Sequence, residues 1–149
     1  MSQKALPDIY REAADLVLKT GKTEGEMKAV SEENQRCYGF CTMGAVFEAA
    51  GGLFDEFGDL VNLDVQSPEF LRLVGPIADQ IAASGRRQRV TQMYNGDEFE
   101  PADPNDSAYW TIASWNDDRR GEAPAPTAED VAQLLREAAD AVEEKGECA

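Results

Sequence analysis

The sequence predicts a mainly helical α+β protein, a single compact domain of five or six helices with a small β-hairpin. Most apolar residues recur at helical spacing, and only two or three short stretches have the composition of strands. With 149 residues, of which 42% are hydrophobic, the chain is long enough for one core and short for two. We therefore expect one globular domain over residues 1–149, with a Pro-rich linker at 121–126 before the last helix.

The first part of the chain predicts a helix followed by a hairpin. Pro7 and the acid after it suit a first helical turn, and the apolar spacing then continues until Gly21 ends the pattern. Two extended pieces follow, Met27–Val30 and Arg36–Phe40, separated by a turn-like polar string. These pieces favour a small β-hairpin.

The next segment predicts three further helical pieces. One opens near Cys41 and ends at Gly51, and the apolar residues of Leu53–Val61 repeat the helical spacing. Ser67 and the proline after it start a longer helix that ends at Gly85. We expect Pro76 to kink or split this helix.

The second half predicts less regular structure before its last helix. Residues 86–94 suit a short strand or extended loop, and residues 95–106 a loop rich in glycine, proline and acids. A short helix over Ser107–Trp115 follows, capped by Asn105 or Asp106, with Trp115 in the core.

The final helix has the clearest sequence pattern. It opens at the near capping box Thr127–Asp130 and carries one apolar face until Gly146. We expect the first and last helices to pack on the Met43–Ala50 helix.

The charge of the chain excludes several kinds of function. It has 29 Asp and Glu against 14 Lys and Arg, a net charge of -15, which argues against direct binding to nucleic acid. The acids concentrate in 55–64, 97–106 and 129–147, whereas the arginines of 86–89 suit a helix end where they pair with nearby acids. Histidine is absent, so His-activated nucleophiles and His-containing zinc sites are excluded. We expect no cofactor and no metal.

The cellular location is predicted from the first residues, the apolar stretches and the cysteine count. The first residues lack the apolar region of a signal peptide, and no apolar stretch approaches the ~20 residues needed to span a bilayer. Three cysteines are too few for a disulfide scaffold. We expect a cytoplasmic protein without a membrane segment.

Two cysteines and one late string are the candidate site residues. Cys37 and Cys41 are four apart, but without histidine they make a poor metal site, so packing is favoured over a reactive thiol. In the string Trp115-Asn116-Asp117-Asp118-Arg119-Arg120, an indole anchor followed by backbone-capping side chains is favoured. The alternative is a pocket in which Asp117 is a general base and the arginines bind an anion.

Four strings resemble a domain-of-unknown-function family of small proteins from actinobacteria and their phages. The Cys-x-x-Gly-Ala and Trp-Asn-Asp pieces are the specific part. The resemblance implies no known activity. The strings are Leu18-Lys19-Thr20-Gly21-Lys22, Cys37-Tyr38-Gly39-Phe40-Cys41-Thr42-Met43-Gly44-Ala45, Trp115-Asn116-Asp117 and Thr127-Ala128-Glu129-Asp130-Val131.

Two functions from different classes follow. The first is a non-enzymatic cytoplasmic binding or accessory protein, related to phages, that binds a basic protein partner through an acidic surface. This function requires the acids to lie on one face of the protein. The spacing of seven, three and four residues allows this for four acids of the last helix, Asp130, Glu137, Asp140 and Glu144. The alternative is a small hydrolase or transferase. Its site would gather Cys37, Cys41, Asp117 and Arg119.

Overall fold

The fold is known from a computed structural model that describes residues 4–34, 36–117 and 124–146. Over these residues the chain forms five helices and two antiparallel two-stranded sheets, which confirms the mainly helical α+β prediction. The helices are α1 (Leu6–Thr20), α2 (Thr42–Ala49), α3 (Pro68–Ala83), α4 (Pro104–Asp117) and α5 (Ala128–Glu144). The strands are β1 (Lys28–Val30), β2 (Cys37–Phe40), β3 (Gln92–Tyr94) and β4 (Phe99–Pro101).

Buried side chains from all five helices form one hydrophobic core. Helix α1 packs against α5 and α2, while α3 packs against α4 and α5. The expectation that the first and last helices both pack on α2 is therefore right for α1 and wrong for α5. Because α1 contacts both α2 and α5, it lies between them, and the apolar stripe of α5 is buried against α1 and α3 instead.

The predicted hairpin forms from β1 and β2. The strands are antiparallel, with Lys28 opposite Phe40 and Ala29 opposite Gly39. The chain leaving α1 adds a parallel bridge at Lys22, where the amide of Thr23 donates to the Phe40 carbonyl at 3.0 Å. This bridge holds the segment after α1 beside the N-terminus of α2.

The helical repeat predicted for residues 53–61 is wrong, because these residues form an ordered loop. Phe54 and Leu60 face each other across an antiparallel bridge and pack on the core. The carboxylate of Asp55 accepts the amides of Phe57 and Asp59 at 2.9 and 3.0 Å. These side-chain bonds compete with helix formation and close a turn instead.

Helix α3 begins as predicted and continues through its proline. The Ser67 hydroxyl accepts the amide of Phe70 at 3.2 Å, a standard N-cap. Pro76 lies inside the helix but does not split it. One turn earlier, the buried Tyr10 hydroxyl donates to the Leu73 carbonyl at 2.7 Å. This bond ties α1 to α3 inside the core.

The acid-rich segment before α4 contains more structure than predicted. It includes β4, which pairs with β3, and α4 begins at Pro104, three residues before the expected start. Neither predicted cap is used: Asp103 accepts the amide of Asp106 at 2.8 Å. The Asn105 amide instead donates to backbone carbonyls just before α3.

The start of α5 agrees with its predicted capping box. The Thr127 hydroxyl accepts the amide of Asp130 at 3.2 Å, and the Asp130 carboxylate accepts the amide of Thr127 at 3.0 Å. Of the predicted linker at 121–126, only residues 124–126 are described, and they are neither helix nor strand.

Candidate functional site

Three of the sequence motifs meet at the N-terminus of α2. They are the segment after α1 (22–25), the start of α2 (41–44) and the end of α4 (115–117). We call this meeting point the Asn116 junction, because the side chain of Asn116 bonds to both other segments.

Asn116 uses its whole amide group at the junction. Its Oδ1 accepts from the backbone amide and the hydroxyl of Thr42, at 3.0 and 2.7 Å. Its Nδ2 donates to the Thr23 carbonyl at 3.0 Å and to Asp117 Oδ1 at 2.8 Å. Asp117 also accepts the amide of Gly25 at 3.1 Å. These bonds tie α4 to α2 and to the chain leaving α1, as the backbone-capping interpretation predicts.

Trp115 anchors the same end of α4. It is 7% exposed and belongs to the hydrophobic core, as expected from the sequence. A buried indole next to a fully bonded asparagine fixes both the depth and the orientation of the helix end.

Cys41 has a structural environment at the junction. It precedes α2 as its N-cap, and its sulfur accepts the amide of Gly44 at 3.3 Å. Burial raises the pKa of the Cys41 thiol to about 11, although hydrogen bonds from the backbone of Met43 and Gly44 act in the opposite direction. Near neutral pH the group is therefore a protonated thiol and a weak nucleophile.

Gly44 explains the spacing of the Cys-x-x-Gly piece. A Cβ at this position would lie 1.7 Å from the carbonyl oxygen of Met27, the residue just before β1. Only glycine therefore lets the backbone of Met27 come this close to α2. The Met27 carbonyl also accepts the amide of Cys41 at 3.1 Å. The motif thus fixes how the first hairpin lies against α2.

Lys22 is the junction residue that the sequence did not reveal. Its side chain is only 7% exposed, and its Nζ donates to the Asn116 carbonyl and pairs with Glu24 at 3.3 Å. A cation beside the last carbonyls of α4 is favourable because that helix end is negative. Lys22 is adjacent to the glycine that ends α1, and no local pattern indicates a partner 94 residues away.

The space inside the junction is small. A cleft of about 50 Å³ lies between Cys41, Tyr109 and Asn116. Typical small-molecule sites measure roughly 300–1,000 Å³, so this cleft suits a few water molecules.

The structure brings together only part of the predicted enzymatic site. Cys41 and Asp117 both line the junction cleft. Cys37 does not, because it lies in β2 with its thiol directed to the Gly39 carbonyl at 3.5 Å. Arg119 lies outside the described residues. Within the described ranges, no three acidic or thiol side chains are grouped closely enough to hold a metal ion.

A second candidate region consists of two acidic loops, residues 53–64 and 92–103. The sequence has no lysine or arginine between Cys37 and Leu71, or between Val90 and Asp118. Among the described residues, no ion pair involves an acid of either loop. Within the part of the chain that the structure describes, the carboxylates of the acidic loops are therefore not neutralised by ion pairs.

The acidic loops also hold large exposed aromatic side chains. Phe57 is 76% exposed at the turn of the first loop. In the second, the exposed rings of Tyr94 and Phe99 contact each other across the hairpin, with centroids 5.3 Å apart. The loops are connected near their bases by a bond from Gln66 to Asp106 at 3.2 Å.

The acids of the helices have different surroundings. Many pair with arginines, including Glu137, which receives two bonds from Arg86 at 2.7 and 2.9 Å. Arg86 is the main reason why the pKa of Glu137 is lowered to about 2. Further arginine pairs among the described residues join Arg11 to Asp140 and Glu143, Arg72 to Glu69, Arg89 to Asp79 and Arg136 to Asp15.

These pairs change the predicted acidic stripe of α5. Asp130 caps its own helix, and Glu137 and Asp140 are bound by arginines, so the stripe does not present four uncompensated carboxylates. The arginines at 86 and 89 pair with acids, as expected for cations near a helix end.

The fold and the junction define a small helical α+β protein whose distinctive motifs serve packing at one helix start. The chain belongs to a family of unknown function (DUF6197), which it matches over residues 1–141. This confirms the resemblance to a family without known activity. No curated protein and no solved structure matches the chain. In the described part of the chain, no helix has both the length and the apolar character to cross a membrane.

Proposed function

We propose that this chain is a non-enzymatic binding protein that engages a basic protein partner through its acidic loops. One observation carries the proposal: uncompensated acids and exposed aromatic rings occur in the same two loops. Exposed aromatic side chains are enriched where proteins bind one another.

The local charge supports a basic partner. Acids on the helices are partly neutralised by bound arginines, whereas acids of the loops retain their field toward solvent. Such a field attracts a cationic surface and favours rapid association. A role in solubility alone would require charge but not exposed rings beside it.

The other parts of the proposal follow from the same features. Acidic loops repel a phosphate backbone, so the partner is a protein and nucleic acid is not bound directly. The enzymatic alternative receives little support from a buried thiol whose pKa is raised to about 11. A cytoplasmic location and a relation to phages are parts of the proposal that rest on the sparse cysteines and on the sequence resemblance.

Capture experiments at two salt concentrations test the proposal. Immobilised protein should retain basic proteins from a lysate of the source cells at ~0.05 M salt and lose most of them above ~0.15 M, where the screening length is about 8 Å. Recovery of no basic protein at low salt would contradict the proposal.

Two variants with equal loss of charge make this test specific. The loop variant should lose the captured proteins, and the helix variant should retain them. Equal loss in both would show that only net charge matters, and the acidic loops would not be the binding surface. The loop variant carries Glu56→Gln, Asp59→Asn, Asp97→Asn and Glu98→Gln. The helix variant carries Glu12→Gln, Asp15→Asn, Asp79→Asn and Glu143→Gln.

A further inference from the structure

A groove lies where the first acidic loop meets the β1–β2 hairpin. It has a volume of about 360 Å³, and we call it the Phe57 groove. It is lined by Glu26, Val30, Glu32, Glu56 and Phe57. Its volume falls at the lower end of the range for sites that take a small group.

We propose that the Phe57 groove binds an arginine side chain of the basic partner. This inference rests on the proposed function and names the point of contact. Three carboxylates and one exposed ring around a single groove complement a planar cation with an apolar stem. Arginine fits such a groove better than lysine because its guanidinium stacks on a ring and bonds two carboxylates at once.

No ion pair within the described chain neutralises the carboxylates of the groove. None of its three glutamates is in an ion pair with a described residue. The nearest cation along β1 is Lys28, which pairs with Glu48 at 3.7 Å and lies over the rings of Phe40 and Phe54. Lys28 is thus engaged elsewhere.

The backbone at Phe57 is held in a turn by hydrogen bonds. Asp55 accepts the amide of Phe57, and Gly58 donates to the Asp55 carbonyl at 3.0 Å. Gly58 has φ +84°, and a Cβ there would lie 2.0 Å from the Lys28 carbonyl oxygen. The backbone of the turn therefore packs closely against the backbone of β1. Because this backbone is already held in the turn, binding needs to order only the side chain of Phe57.

Peptide titrations test the inference with defined probes. Fluorescently labelled nona-arginine and nona-lysine are titrated with the full chain at ~0.05 M salt. We expect nona-arginine to bind more tightly, and Phe57→Leu to reduce that preference about 2- to 5-fold, which is the usual contribution of an exposed cation–π contact. Tyr38→Leu, which changes an exposed ring outside the acidic loops and outside the groove lining, should leave the preference unchanged.

Two charge-matched triple variants locate the contact. Glu26→Gln/Glu32→Gln/Glu56→Gln should weaken nona-arginine binding about 10-fold, and Asp97→Asn/Glu98→Gln/Glu100→Gln by less than about 3-fold. An equal or larger effect of the second triple would overturn the groove as the docking point and leave the proposed function standing. If the wild-type chain binds neither peptide at low salt, the proposed function itself fails.

Discussion

The acidic side chains of the helices and those of the acidic loops have different hydrogen-bond partners in this protein. On α3 and α5, arginines bind the carboxylates, as in the two-bond contact between Arg86 and Glu137. In the acidic loops, carboxylates such as that of Asp55 accept backbone amides instead, and the same loops carry exposed rings such as Phe57. The same residue types thus stabilise helix packing in one region and shape a charged, partly apolar surface in the other.

This difference separates residues that maintain the fold from residues available for binding. The buried side chains and the paired acids of the helices support packing, so their substitution should lower the free energy of unfolding. The exposed rings of the acidic loops, and the loop acids that make no backbone bond, face solvent, so their substitution should leave stability nearly unchanged and alter binding. The predictions below test this separation, beginning with the largest expected effect.

Trp115→Ala should lower the free energy of unfolding by about 3 to 5 kcal/mol, because it removes a buried indole and leaves a cavity. Urea unfolding followed by circular dichroism measures the change. A loss below about 1 kcal/mol would show that the indole does not anchor α4, and the ring would then be a candidate for binding.

Asn116→Ala should cost about 2 to 3 kcal/mol, because it leaves the buried Thr42 and the part-buried carbonyl of Thr23 without their bonds. Asn62→Ala is the matched control. Asn62 also bonds the backbone, accepting from the amide of Leu53 at 2.9 Å, but it is exposed within the first acidic loop. We expect the control to cost less than about 1 kcal/mol, because water replaces its bonds. Equal losses would contradict the special role of the Asn116 junction.

Much of the helical region is predictable because its signals are local. The apolar stripe of α1 ends at Gly21, and the capping box of α5 uses residues only three apart, Thr127 and Asp130. The Asn116 junction could not be predicted in this way, since its partners lie 74 and 93 residues earlier in the chain. Sequence indicated that the Trp-Asn-Asp string is unusual, but only the fold shows which backbone groups it satisfies.

The acidic loops were harder to predict because two patterns overlap there. The apolar positions of Leu53–Val61 match a helix, yet Phe54 and Leu60 face the core while Phe57 is exposed. The bonds accepted by Asp55 decide the outcome, and such bonds are not visible in apolar spacing. Likewise β4 is short and acidic, and its pairing with β3 gives it an extended conformation.

Glu137→Gln should lower stability by about 1 to 2 kcal/mol at neutral pH, after allowance for partial exposure of the pair. The pKa of Glu137 is lowered to about 2 in the folded protein from 4.5, so its contribution is complete above 4.5 and is lost as pH falls toward 2. The difference in the free energy of unfolding between wild type and variant should therefore shrink to zero as pH falls from 4.5 to 2. Urea unfolding at several pH values measures this difference.

Glu144→Gln is the control for this measurement. Glu144 is exposed on the same helix and has no cation partner among the described residues. The substitution should change stability by less than about 0.5 kcal/mol. If the difference in the free energy of unfolding between wild type and Glu137→Gln stays constant down to about pH 2, the contact with Arg86 stabilises the fold through packing and not through charge.

Phe57→Ala should have the smallest effect on folding, less than about 0.5 kcal/mol, because the ring is 76% exposed. Its neighbour provides the contrast: Gly58→Ala should cost more than about 1 kcal/mol, since a positive φ and the Lys28 carbonyl both oppose a side chain there. Urea unfolding of the two variants compares adjacent positions of one turn. A loss above about 1 kcal/mol for Phe57→Ala would mean that the ring supports the fold, and the Phe57 groove would then lose its free aromatic wall. If Phe57→Ala is neutral and Gly58→Ala is destabilising, the fold depends on the backbone of the turn and not on the ring. The ring of Phe57 is then available to contact a partner.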